Sequence, residues 1–174
     1  MTDKEEVLKV IQTFFEIGRT KNFSVLRNIQ LDSPEFSSFS DVPPYSLKSY
    51  SDSIVLEELK FASISDYDYE IKNVKISIFG STGVVTFVLN QKGMLVDNKA
   101  FTGQHITING RATFVLIKEG TWKIIHYHLD KISNLFFMYY FSALGEFGFG
   151  WQNFLYSSSA SRTFAFPCTI ARTA

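Results

Sequence analysis

The chain contains a single cysteine, Cys168, among its 174 residues. One thiol cannot build an internal disulfide framework, and the composition suits a reducing compartment. The chain also lacks net charge, because seventeen basic and seventeen acidic residues cancel. No general field therefore exists to attract nucleic acid or an anionic membrane. No glycine-rich loop has the spacing of a phosphate cradle, and the Gly-x-Ser-x-Gly elbow of a serine hydrolase is missing. The first residues, Met1 to Glu6, are polar and charged, and no apolar signal core follows. These absences lead to the expectation of a cytoplasmic protein with neither nucleic acid nor membrane among its partners.

What is present is apolar and aromatic. Hydrophobic residues make up 45% and charged residues 20%, a globular balance, and the length allows one domain with a sizeable core. The aromatic share is 16%, with eighteen phenylalanines. These cluster from Leu135 onward in Leu-Phe-Phe-Met-Tyr-Tyr-Phe, after which a Ser-rich stretch follows. The shift at Ser133–Asn134 predicts a domain over 1–133 and an aromatic tail over 134–174. Leu135 to Tyr156 has about the length of a membrane span, but Glu146, Gln152, Asn153, several glycines and the lack of basic flanks oppose that reading.

Along the chain, Thr2 and Glu5 form a capping box, and Val7, Leu8, Val10, Ile11, Phe14, Phe15 and Ile17 follow helical spacing. Gly18 is expected to end this helix in a left-handed conformation. Asn22 is expected to cap a short second helix, and Ser46 to start a third carrying Leu47, Tyr50, Ile54 and Phe61. A short strand over 36–40 precedes the Pro43-Pro44 turn. Beyond Ser65 the period becomes two. Strands are predicted from Tyr67 to Ile78 with a bulge at Lys72–Asn73, then over 84–96, 101–118 and 122–132, with turns at Gly80-Ser81, Asp97-Asn98 and Glu119-Gly120. Asn109-Gly110 suggests a bulge or bend. The fold class is α+β: N-terminal helices packed on a strongly curved antiparallel sheet, with a cone-shaped pocket between them.

The run Arg111-Ala112-Thr113-Phe114-Val115-Leu116 and the run Lys118-Glu119-Gly120-Thr121-Trp122-Lys123-Ile124-Ile125-His126-Tyr127-His128 resemble the terminal hairpin of SnoaL-like domains of the nuclear-transport-factor-2-like superfamily. Pro34 to Asp41 resembles the first short strand of that family. The resemblance covers roughly Val7 to Ile132 and departs after the His-x-His pair, where many relatives have x-Ser and this chain has Leu129-Asp130. It implies the cone-shaped fold and homodimerisation. It leaves function open between isomerases, dehydratases, cyclases and associating domains.

Strict alternation puts His126 and His128 on one face with Ile124 and Trp122, and a tight hairpin places Arg111 opposite His128. The functional reading is an anion-orienting Arg111 beside an imidazole, His128 with His126, that moves a proton near neutral pH. The alternative for the same residues is a structural polar network. Trp122, Asp41, Phe14 and Tyr67 are expected to line the pocket, although Asp41 could instead cap the proline turn. Tyr67 to Glu70 has the residue types of an enolising isomerase, but alternation separates its tyrosines from its acids. His-x-His with His105 lacks the Cys or His-Glu cluster of a zinc site, so neither metal nor cofactor is expected. A small organic molecule bound by a lyase or isomerase is therefore one reading. A non-enzymatic dimerising module is the other.

Overall fold

The first helix starts where the capping box requires. In the computed structural model, which describes residues 1–97 and 102–132, Thr2 Oγ1 accepts from the Glu5 amide, and Glu5 Oε2 accepts from the Thr2 amide at 2.7 Å. Helix α1 runs over Asp3–Thr20 and buries Val7, Ile11, Phe14, Phe15 and Ile17. Its end corrects the expectation for Gly18, which lies inside the helix. Lys21 takes the left-handed conformation instead, with φ 58°. Gly18 is there for space: a Cβ at this position would come within 2.3 Å of the Tyr67 ring.

Helix α2 spans Ser24–Ile29. Its cap position is Phe23 rather than Asn22, whose Oδ1 accepts instead from the Ser24 hydroxyl at 2.7 Å. Helix α3 spans Tyr50–Ser63 and starts four residues later than expected, because the cap is Ser49. The Ser49 hydroxyl accepts from the Asp52 amide. At the other end of α3, Lys21 Nζ donates to the carbonyls of Phe61 and Ile64 at 2.5 Å each. The cap of one helix thus satisfies the exposed carbonyls that end another.

The strands are β1 (Ser37–Phe39), β2 (Ile64–Phe79), β3 (Thr82–Asp97), β4 (Thr102–Glu119) and β5 (Thr121–Lys131). They form one sheet in the order β1-β5-β4-β3-β2. Four strands make an antiparallel meander, while β1 joins β5 in parallel, so the sheet is mixed. The helices cover its inner face. The β2–β3 register shifts between Lys72 and Lys75, at the expected bulge, where Asn73 has φ 54°. Asn109-Gly110 does not interrupt β4, which pairs with β3 without a break. A Cβ on Gly110 would come within 2.5 Å of the Asp130 carbonyl oxygen, so this glycine permits a close backbone approach.

Between the layers lies an aromatic core. Phe14 is fully buried and meets Phe15, Phe61 and Phe114 edge to face, with centroids 5.1 to 5.9 Å apart. Phe114 stacks on Phe87 and Tyr127. Such pairs add roughly 0.5–1.5 kcal/mol each beyond the area they bury. The aromatic tail over 134–174 lies outside the described residues, as does the expected Asp97-Asn98 turn beyond Asp97.

Gly18→Ala tests this packing. Alanine is the better helix former by about 1 kcal/mol, but its methyl would overpack the Tyr67 ring, which typically costs about 1–3 kcal/mol. The expected net result is a lower urea midpoint. A raised midpoint would show that the ring yields freely.

Candidate functional site

The last strand decides which side chains face inward. Its register corrects the simple hairpin count, since Val115 pairs with His126 whereas Leu116 pairs with Ile124. Ile125 is therefore the extra residue of a β-bulge. A one-residue slip moves every later side chain to the opposite face. Trp122 and Ile124 point inward before the bulge, and Tyr127 and Leu129 point inward after it. His126 and His128 consequently leave the face that Trp122 and Ile124 occupy.

Arg111 pairs with Asp130 and not with His128, whose partner is Thr113. Arg111, His126 and His128 still share a face, but it is the outer one, away from the helices. Arg111 is exposed there and bonds Asp130 Oδ2 at 2.8 Å. His126 is half-buried, with Nδ1 2.8 Å from Ser37 Oγ. Burial, followed by the nearby His128, moves its pKa below the usual imidazole range. His128 lies against the Phe39 ring, with centroids 5.4 Å apart. Together with Asp41 it borders a cavity of about 260 Å³ that Tyr45 and Lys131 also line.

The four residues expected to line a pocket have separate fates. Phe14 is sealed in the core. Trp122 is buried at the end of the sheet that carries the β4–β5 turn, and its Nε1 donates to Asp3 Oδ1 at 3.3 Å. Asp41 and Tyr67, however, are brought together in a buried polar cluster at the opposite end.

The centre of that cluster is Lys60 on α3, whose side chain is 3% exposed. Its Nζ bonds Asp41 Oδ1 at 2.7 Å and lies 3.7 Å from Glu57 Oε2. Gln91 of β3 donates to Asp41 Oδ2 at 3.4 Å and accepts from the Tyr67 hydroxyl at 2.9 Å. On the other side, Tyr127 and Ser40 donate to Glu57 Oε1 at 3.1 and 3.3 Å. The Tyr127 hydroxyl is also 2.7 Å from Ser53 Oγ. Buried polar atoms without a hydrogen-bond partner remain among the described residues. They include Glu57 Oε2 and, on residues that flank the Ser53–Tyr127 bond, Gln30 Nε2 and Ser38 Oγ.

The charges in this cluster are set by competition. Burial works against the Lys60 ammonium, but Glu57 and Asp41 outweigh it and raise its pKa, so Lys60 stays charged. Burial likewise pushes Asp41 up, yet the adjacent ammonium prevails and holds this carboxyl below its ordinary range. For Glu57 burial wins over Lys60, and the pKa rises. Asp41 is thus the carboxylate that balances the ammonium, while burial disfavours the charged form of Glu57.

Beside the cluster is an open cleft of about 760 Å³ between α3, the Val42-Pro43 loop and the ends of β3 and β4. Lys60 lines it, together with Leu56, Leu59, Ile64, Leu95, Ile106 and Ile108. Sequence reasoning singled out Asp41 and Tyr67, which fall in the buried cluster and not in the lining of the cleft, and it did not single out Glu57, Lys60, Tyr127 and Gln91. A signal for two of these was present. Ser53, Glu57 and Lys60 recur at helical spacing on the stripe that holds Ile54 and Phe61, and all five are buried. Polar residues within an apolar stripe indicate an internal network.

Asp41→Ala would remove the acceptor closest to the buried Lys60 ammonium, and breaking such a pair typically costs about 3–5 kcal/mol. The double change Asp41→Leu with Lys60→Met is expected to recover most of that loss. Denaturant midpoints measure both, and a double variant no more stable than Asp41→Ala would contradict the assignment.

The two carboxyls give opposite pH dependences. Asp41, with its lowered pKa, contributes stability above its ordinary value of 3.8 that is lost as pH falls through the lowered one. Glu57, with its raised pKa, contributes fully below 4.5 and loses that contribution as pH climbs through the raised value. Glu57→Gln should therefore flatten the decline in urea midpoint above pH 4.5. Parallel curves for the two proteins would refute the protonated state.

No curated protein is similar in sequence to this chain. Solved structures share its fold. A candidate dehydratase of the NTF2-like family from Streptomyces avermitilis is 19% identical, with a TM-score of 0.65 over 75% of this chain and 97% of that one. A protein with a cystatin-like fold from Caulobacter vibrioides is 16% identical, with a TM-score of 0.61 over 81% and 97%. The association domain of CaMKII from C. elegans is 18% identical, with a TM-score of 0.56 over 73% and 94%. The SnoaL-like domain family matches residues 7–130, from the apolar face of α1 to the residue that pairs with Arg111, and the chain belongs to that family.

Proposed function

We propose that this chain binds a small organic molecule in the cleft beside Lys60, and that the bound molecule undergoes lyase- or isomerase-type chemistry there. The observation that carries the reading is the buried Asp41–Lys60–Glu57 cluster, of which Lys60 lines the cleft. A cleft of this size is within the range of small-molecule sites, about 300–1,000 Å³. In proton-transfer chemistry next to a carbonyl, negative charge builds on the carbonyl oxygen as the proton leaves carbon. An ammonium already fixed by a carboxylate is preorganised to stabilise that charge without reorientation. Glu57 stands behind it and accepts a hydrogen bond from the Tyr127 hydroxyl. His128 faces the outer side of the sheet at the adjoining small cavity and takes no part in this reading. Arg111 and His126, occupied by Asp130 and Ser37, have no part in it.

A second reading, association between copies of this chain, has its own support. The outer face of the sheet carries half-buried Val84, Val88, Val115 and Ile117 and the exposed Phe79. Apolar residues grouped on an uncovered sheet face favour burial against a partner. The CaMKII association domain among the structural neighbours supports the same reading. A homodimer through the sheet leaves the cleft on the inner side open, so the two readings are compatible.

The experiment is a thermal-shift and calorimetric screen of small carbonyl compounds against the native chain and the double variant Asp41→Leu with Lys60→Met. The expected result is a compound that binds the native chain and loses at least tenfold in affinity to the variant, about 1.4 kcal/mol or more. Equal binding to both would remove the cluster from the site. Light scattering on the same samples checks association, for which twice the chain mass is expected.

A further inference from the structure

The wall of the cleft carries charge of one sign. Among the described residues that line it, Lys60 and Lys131 are cationic, His105 is the remaining titratable group, and neither Asp nor Glu takes part. The chain as a whole has equal numbers of acids and bases, so this wall departs from the average. The nearest identified carboxyls stand behind it. Asp41 is 2.7 Å from Lys60 Nζ and opens on the adjoining smaller cavity, while Glu57 is buried at 3.7 Å. Asp41 cancels one ammonium. Glu57, also facing that Nζ, does not line the cleft. Lys131 is in no ion pair among the described residues, so the wall carries one ammonium without a counter-charge. The rest of the wall is mostly hydrocarbon, from Leu56, Leu59, Ile64, Leu95, Ile106 and Ile108.

A site with an apolar body and one uncompensated cation selects a ligand of the complementary form. We infer that the cleft binds an apolar organic monocarboxylate, with its carboxylate at the Lys60–Lys131 end and its ring or chain against the leucines and isoleucines. The inference rests on the reading of the cleft as a small-molecule site and adds the class of molecule. Lys60 has the geometry for it, since a lysine ammonium has three N–H groups and, among the described residues, only Asp41 accepts from it at hydrogen-bond distance.

The test compares 2-naphthoate with 2-naphthamide, which differ in charge but hardly in shape, by calorimetry on the full chain. The native protein is expected to bind the acid about tenfold more tightly than the amide, the order of effect of one partly screened charge. Lys131→Gln should bring the two affinities within about twofold, and Lys131→Arg should keep the preference. Leu59→Glu, at a side chain that is already exposed, puts an acid on the wall and should abolish naphthoate binding while leaving the thermal midpoint near native. Equal affinities on the native protein would overturn the anion class and leave the small-molecule reading in place. Naphthoate binding unchanged by both Lys131→Gln and Leu59→Glu would place its site elsewhere and overturn the inference. If neither probe binds, this inference fails. The small-molecule reading itself then stands or falls on the carbonyl screen.

Discussion

A lysine whose ammonium is almost fully removed from water cannot persist in an aromatic core without a counter-charge, and Lys60 is such a lysine. Its requirement organises the wide end of the fold. Asp41 must be held just past β1, which fixes where the chain turns into the proline loop. Glu57 must lie one helical turn before Lys60, and Tyr127 must reach Glu57 from β5. Gln91 and Tyr67 then close the ring from β3 and β2. One ammonium thereby ties three strands, the loop after β1 and a helix together at the point where the helices leave the sheet uncovered.

The network depends in turn on the β-bulge at Ile125. Without that residue, continued alternation would turn Tyr127 outward and His126 inward. Glu57 and Ser53 would then lose the phenol that links them. The bulge also explains the histidine pair, because beyond it every even-numbered side chain of β5 belongs to the outer face. His126 finds Ser37 there, and Asp130 finds Arg111. Leu129-Asp130, the point at which the sequence departs from its relatives, thus places an apolar side chain in the core and a counter-ion for Arg111 outside it.

The two ends of the sheet have different roles. At the end with the tight turns, Trp122 and Val7 fill the space and Asp3 binds both Lys118 and the indole N–H, so the layers are closed. At the other end, α3 diverges from the long strands β3 and β4, and the apolar wall of the cleft begins beside the ion pair. Members of this fold differ in what they do, and the shared architecture accommodates that. At the open end the exposed Leu59 and Leu95 of the cleft wall can change at small cost to the core, whereas the buried ion pair beside them cannot.

Local chemistry determined much of this architecture. The capping box, the apolar stripe of α1, the change of period after Ser65, the bulge at Asn73 and the turn at Gly120 each depend on residues close together in the chain, and each is legible there. Resemblance to SnoaL-like domains added the order of the elements. Asp41 and Tyr67 draw attention in the sequence as a strand end and an aromatic–acid run, and both fall in the buried polar cluster. Only the tertiary structure decided the rest. Whether Ile125 is a pleat or a bulge depends on what β4 offers opposite it, and that single choice selects the face of every residue from His126 to Asp130. Glu57 and Lys60 are legible as an i,i+3 pair on the apolar stripe of α3, but the stripe does not say what balances them. The pair became internal because α3 packs the stripe that carries them against the sheet, and because Asp41, nineteen residues earlier, arrives to balance the charge.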